Sequence, residues 1–83
     1  MATLADALAL HRAGKLAEAG SLYDRVIDQH PEQPDALHLR GVVYMQLGEL
    51  REAVRLIGKA IVLRPDDATF YSNLAAALYR LQM

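Results

Sequence analysis

Cysteine is absent from this chain, which removes disulfide bridges and thiolate-bound metals as ways of reinforcing a small fold. With 83 residues there is room for one small domain, whose core is marginal unless a partner adds to it. Neither sign of charge dominates, since 9 Lys and Arg stand interspersed with 10 Asp and Glu for a net charge of −1. Nucleic-acid binders carry a basic stripe that neutralises phosphates, and without one no nucleic-acid partner is expected. No apolar run reaches the roughly 18 residues that a membrane span requires, so no membrane partner is expected either. Near the start, Asp6, His11 and Arg12 interrupt the apolar stretch that a secretion signal would need, which points to a cytoplasmic protein.

The residue sets that carry chemistry are missing too. There is no HExxH, no paired Cys and no acidic cluster, and His11 and His38 fall on neighbouring helices at places about two turns apart. No metal and no cofactor are expected. Ser21 and Ser72 have no recognisable base and orienting acid, and the glycines do not form a phosphate-cradling run. Asp66 and Asp67 stand at a helix start, where capping accounts for them. Glu18 and Glu52 recur one unit apart, which suits a shared helical surface better than paired acid and base work. The chain reads as non-enzymatic.

What the sequence does contain is a repeat. Gly14, Leu16, Glu18, Ala19, Leu22, Ile27 and Pro31 return 34 residues later as Gly48, Leu50, Glu52, Ala53, Leu56, Ile61 and Pro65. Punctuation and apolar spacing recur together, so one supersecondary unit is used twice and begun a third time. Within a unit the spacing is helical: Leu37, Gly41, Tyr44 and Met45 share one face, and Ala53, Leu56, Ile57, Ala60 and Ile61 share another. Gly14 and Gly48 sit where a left-handed residue closes a helix, and Pro31 and Pro65 follow the second helix of each pair. Pro34 suits a first helical turn, and His30 a helix C-terminus. This punctuation predicts five helices, at 3–13, 16–29, 35–47, 50–63 and 67–81. They form a single domain over 1–83, with repeat one at 1–33, repeat two at 34–67 and a half repeat at 68–83.

Leu37, Arg40, Gly41, Tyr44, Ala53, Ile57, Ala60 and Pro65 resemble the tetratricopeptide repeat, whose pattern places a large aromatic, Leu-Gly, Tyr, Ala, Phe and Pro at these spacings. Ala7, Leu10, Ala19, Tyr23 and Pro31 match in the first unit, and Tyr71, Leu74, Ala75 and Leu78 in the third. The resemblance implies an all-α fold in which antiparallel helix-turn-helix units stack into a short right-handed superhelix. Small residues at Ala7, Gly41 and Ala75, and at Ala19, Ala53 and Ala60, are expected to let paired helices approach closely. Leu10, Tyr23, Tyr44, Ile57 and Leu78 are expected to fill the space between units. Two departures stand out. Arg40 replaces a Leu, and is expected to lay its methylenes on the core edge with its head in water, a salt bridge being the alternative. Thr3 and Asp6 replace large apolar residues and have the spacing of a capping box.

The resemblance also implies a function, namely protein association through a concave groove lined by the first helix of every pair. The expected groove residues are Leu4, Leu8, His11, Arg12, His38, Val42, Met45, Ser72, Ala76 and Tyr79, and the expected partner is a protein or peptide. Leu4, Leu8, Val42 and Met45 at helical spacing also suit ordinary core. Chaperone-binding members hold a carboxylate with Lys and Asn in this groove, and the Leu4, Leu8, His38, Val42, Ser72 and Ala76 found here provide no such clamp. Tyr71, Ser72, Asn73 and Leu74 resemble the Asn-bearing repeats that precede the catalytic part of protein-glycosylating transferases. A regulatory segment of a larger enzyme such as a transferase is therefore the alternative. The helix from Phe70 onward is apolar on almost every side and lacks a second helix, whereas terminal repeats usually turn a polar face outward. Phe70, Leu74, Ala77, Leu78 and Leu81 are accordingly expected to drive self-association into a dimer or larger homo-oligomer.

Overall fold

A computed structural model describes residues 2–83 and contains five helices, α1 (Leu4–Arg12), α2 (Leu16–Gln29), α3 (Pro34–Gln46), α4 (Leu50–Leu63) and α5 (Ala68–Gln82). Each end lies within one residue of its expected place, and no strand occurs among the described residues. The punctuation residues act as their chemistry requires. Gly14 and Gly48 adopt φ of 79° and 81°, a conformation that an L side chain would strain. Their N–H groups donate back to the carbonyls of His11 and Met45, and those of Lys15 and Glu49 to Leu10 and Tyr44. This pair of reversed bonds satisfies the last carbonyls of α1 and α3 and turns the chain back along itself.

Helix starts are capped unequally. Thr3 accepts from the Asp6 N–H at 3.1 Å, which completes the forward half of the expected capping box. Asp67 accepts from the N–H groups of Thr69 and Phe70 and so caps α5. Pro34 opens α3, where its missing N–H removes nothing.

α1 packs on α2 and α3 on α4 as pairs, while α2–α3 and α4–α5 contacts join one unit to the next. Close approach is built from small residues, and Ala7, Ala19, Ala53 and Ala60 are wholly buried. At Gly41 a Cβ would lie 2.7 Å from Ile57 Cγ1 and 3.3 Å from the Ala53 carbonyl, so α3 and α4 cross at a distance that excludes any side chain there. Tyr23, Ile57, Val26, Val43 and Phe70 fill the interior. Two expectations for the third unit are corrected here. Ala75 is exposed, because the small residue that should receive a second helix has none against it. Leu78 is 43% exposed and fills no space between units, for the same reason.

Candidate functional site

The first helices of the units lie side by side, and three polar contacts show it. His11 Nε2 meets Gln46 Oε1 at 2.6 Å, Asn73 Nδ2 donates to His38 Nε2 at 2.7 Å, and Arg80 Nη1 donates to the Met45 carbonyl at 3.0 Å. Every one of these joins residues 35 apart, one unit plus one residue. On its other side His11 Nδ1 lies 2.9 Å from the Tyr23 hydroxyl. Burial pushes that hydroxyl above its ordinary range against the opposing charge of Arg12.

These contacts consume part of the expected groove. His38 is buried at 6% exposure, stacked 4.5 Å from the Phe70 ring, and Met45 is buried at 9%. Both were expected on an open groove surface and are instead buried. Burial pulls His38 below the ordinary imidazole range, and the Asp67 and Asp35 carboxylates act in the opposite direction. Leu4 is half-buried and packs into the apolar clusters of the first unit, while His11 is half-buried at the rim. Leu8 and Val42 are likewise half-buried, and Ala76, Ser72, Tyr79 and Arg12 are exposed. Leu8, Val42 and Ala76 hold one position in three successive units and form a small apolar row flanked by the cross-helix contacts.

At the far end of the array, the residues expected to drive self-association divide. Phe70 and Ala77 are buried at 2% and 0% and belong to the core against α4, which corrects their inclusion among the residues expected to drive self-association. Leu74 is half-buried. Leu78 and Leu81, with Tyr71, stay open to solvent on α5.

Arg40 does not keep its head in water, and the alternative of a salt bridge is what forms. Nε and Nη2 donate to Asp24 Oδ1 and Oδ2 at 3.0 and 3.2 Å, Cζ lies 4.1 Å above the Tyr44 ring, and the side chain is only 14% exposed. Gly20 makes this possible, because any Cβ there would collide with the guanidinium. Arg64, just past α4, bridges Asp35 of α3 at 2.9 Å and Asp67 at 3.4 Å, and the hydrogen bond to Asp35 raises its pKa further. Asp24, Gly20 and Arg64 were not singled out by the sequence reading. Gly20 had a signal, since an absent side chain faces an oversized one where the junction of the second and third units has Val54 and Leu74.

No group of three metal-ligating side chains occurs among the described residues, and no helix is long and apolar enough to cross a membrane. Stacked helical pairs with small residues at their crossings define an all-α helical-repeat fold. The chain belongs to the tetratricopeptide repeat family, whose profile matches residues 10–78. Repeats of this family generally mediate protein–protein interaction and are generally non-catalytic. A TPR repeat-containing thioredoxin of Arabidopsis thaliana is 36% identical over 72 residues, which is 87% of this chain and 11% of that protein. Human tetratricopeptide repeat protein 36 is 44% identical over 46 residues, 55% of this chain and 24% of that protein. The chain therefore spans about a tenth and a quarter of the lengths of these relatives.

Proposed function

We propose that this chain is a non-catalytic interaction or assembly module that takes a peptide or helix along the Leu8, Val42 and Ala76 row. The observation that carries this reading is that Leu8 and Val42 are only partly buried and Ala76 is exposed, while His38 and Met45 beside them are buried where the helices meet. Tyr79, 65% exposed, supplies an amphipathic ring at one edge, and Arg12 and Ser72 supply polar rims. His38 and Met45 set the floor from below. The fitting ligand is an amphipathic segment with small or medium apolar side chains about one turn apart. Selection from a peptide library on the immobilised chain tests this. Recovered peptides should lose binding to Ala76→Glu and Tyr79→Ala, both at exposed positions that leave helicity intact. Equal binding to parent and both variants would remove the row from consideration.

A second reading rests on α5. Tyr71, Leu78 and Leu81 are 46%, 43% and 37% exposed on α5, and Tyr71 and Leu78 hold the places of Leu37 and Tyr44, which pack in one cluster with α4. A second copy of the chain placed there would close a homodimer, for which about 800 Å² per partner is typical. Light scattering at rising concentration should then show a dimer that Leu81→Lys returns to monomer, and a parent that stays monomeric would end this reading. The likeness to a stretch that makes up 11% of a TPR repeat-containing thioredoxin supports the further alternative of an interaction segment that regulates a larger enzyme.

A further inference from the structure

The end of α4 is apolar where the repeat gives no reason for it. Val62 is 81% exposed and Leu63 39%, whereas the residues 34 earlier, at the end of α2, are Asp28 and Gln29. With Pro31 and Glu32 of the α2–α3 loop, Leu37 of the first turn of α3, and Lys59, they line a hollow of about 250 Å³. In the first unit Thr3 stands in the place of Leu37, opposite Asp28 and Gln29, so both walls are polar there, while Arg25 keeps the positive charge of Lys59. The hollow is thus a property of the second unit, at the loop end of the array, with no residue in common with the Leu8, Val42 and Ala76 row. One water occupies ~30 Å³ of liquid, so the space admits a bulky side chain.

We propose that this hollow is a second docking site, for an extended peptide that seats one aromatic side chain against Val62, Leu63, Leu37 and Pro31 and sets a carboxylate against Lys59. Charge decides the choice of partner. Arg55 is tied to Glu52, and Arg64 to Asp35 and Asp67, but Lys59 is exposed and makes no ion pair among the described residues. Glu32, which lines the hollow from the α2–α3 loop, repels a carboxylate, so the acid lies on the α4 side of the aromatic ring, with Lys59, and the peptide enters in one direction. Apolar area provides the attraction and the ion pair the orientation. A site this small belongs to a weak, transient contact.

The chain contains no tryptophan, which makes a Trp-bearing peptide a clean reporter of its own burial. The probe is acetyl-Gly-Trp-Glu-Gly-amide, blocked so that only the Glu is charged, compared with its Trp-Lys and Ala-Glu counterparts. Titration with the parent chain should shift the indole emission to the blue with saturation, and binding should be about threefold weaker for the Trp-Lys peptide. Val62→Asp copies the first unit at a position too exposed to affect folding, and should weaken binding about tenfold. Lys59→Glu should reverse the preference between the two Trp peptides, and Ala76→Glu should change nothing. Absence of a blue shift at millimolar protein, a shift indifferent to Val62→Asp, or one abolished by Ala76→Glu overturns the proposal.

Discussion

The array has two junctions between units, built on one helical plan with nearly opposite chemistry. Between the first and second units, Arg40 crosses from α3 onto Gly20 and Asp24 of α2 and lies over Tyr44. Between the second and third, the equivalent positions hold Leu74, Val54, Gly58 and Leu78, with Val54 and Leu74 packed against the larger apolar cluster. Along the first helices the pattern inverts. Leu4 and Leu39 stand in the places of His38 and Asn73, and His11 and Gln46 in those of Met45 and Arg80. Apolar packing supplies attraction without direction, and hydrogen-bonded pairs supply direction. Each junction has some of both, placed differently, so the two are not interchangeable and the order of the units is specified.

The largest test of this comparison sets a paired position against an unpaired one. Gly41→Leu should lower stability by about 3 kcal/mol, because its side chain meets Ile57 and the Ala53 backbone. Ala75→Leu, the same position one unit later, should stay within ~0.5 kcal/mol of the parent, since it faces solvent. Thermal melts followed by circular dichroism separate the two outcomes, and equal losses would show that α5 is covered in solution.

Removing one side of the Arg40 fork comes next. Asp24→Ala leaves a largely buried guanidinium without its carboxylate, but Asp24 is itself 53% exposed and water offsets part of the loss. A decrease of about 1 to 2 kcal/mol is expected from urea titration, below the 3 to 5 found when a fully buried pair is broken. Gly20→Val alone should cost a similar ~1 to 2 kcal/mol by displacing Arg40, and much of that should return when Arg40→Leu is added, which recreates the chemistry of the second junction. A double-mutant cycle with no coupling would mean that the two junctions are not alternative solutions to one packing problem.

The smallest expected effect is a pH dependence confined to the second junction. Burial lowers the pKa of His38 in the folded chain, while the unfolded value is about 6.5. The unfolded chain then binds more protons, so stability is full above about pH 6.5 and falls as the pH drops from there toward the folded value. The Asn73 amide meets Nε2 as a donor and cannot serve a protonated nitrogen in that orientation. Replacing the pair by His38→Leu and Asn73→Leu, which imitates Leu4 and Leu39, should flatten the melting temperature between pH 7 and 5.5 relative to the parent. An unchanged slope would assign the acid sensitivity to other groups.

Much of the fold was legible because repetition doubles every signal. Gly14 and Gly48 mark the same turn twice, and Ala19 and Ala53 the same crossing, so the helix ends and close contacts could be read from the sequence. The candidate surface was only partly legible. Helical spacing places His38, Val42 and Met45 on one face of α3, but which of them remains open depends on how closely α5 lies alongside, and that distance follows from side chains one unit away. The Arg40 and Asp24 pair was hidden for a related reason, because it depends on the missing side chain of Gly20. Phe70 was grouped with the residues expected to drive self-association because α5 is apolar nearly all round, and period alone cannot tell which side of such a helix is covered.

The central claim is that the working surface is the row across the first helices. The most direct test is a ¹H–¹⁵N shift titration of the labelled chain with a peptide recovered by selection. The account predicts saturating changes at Leu8, Val42, Ala76 and Tyr79, with small ones at the supporting His38 and Met45. Changes centred instead on Tyr71, Leu78 and Leu81 would contradict it and place recognition on the open side of α5.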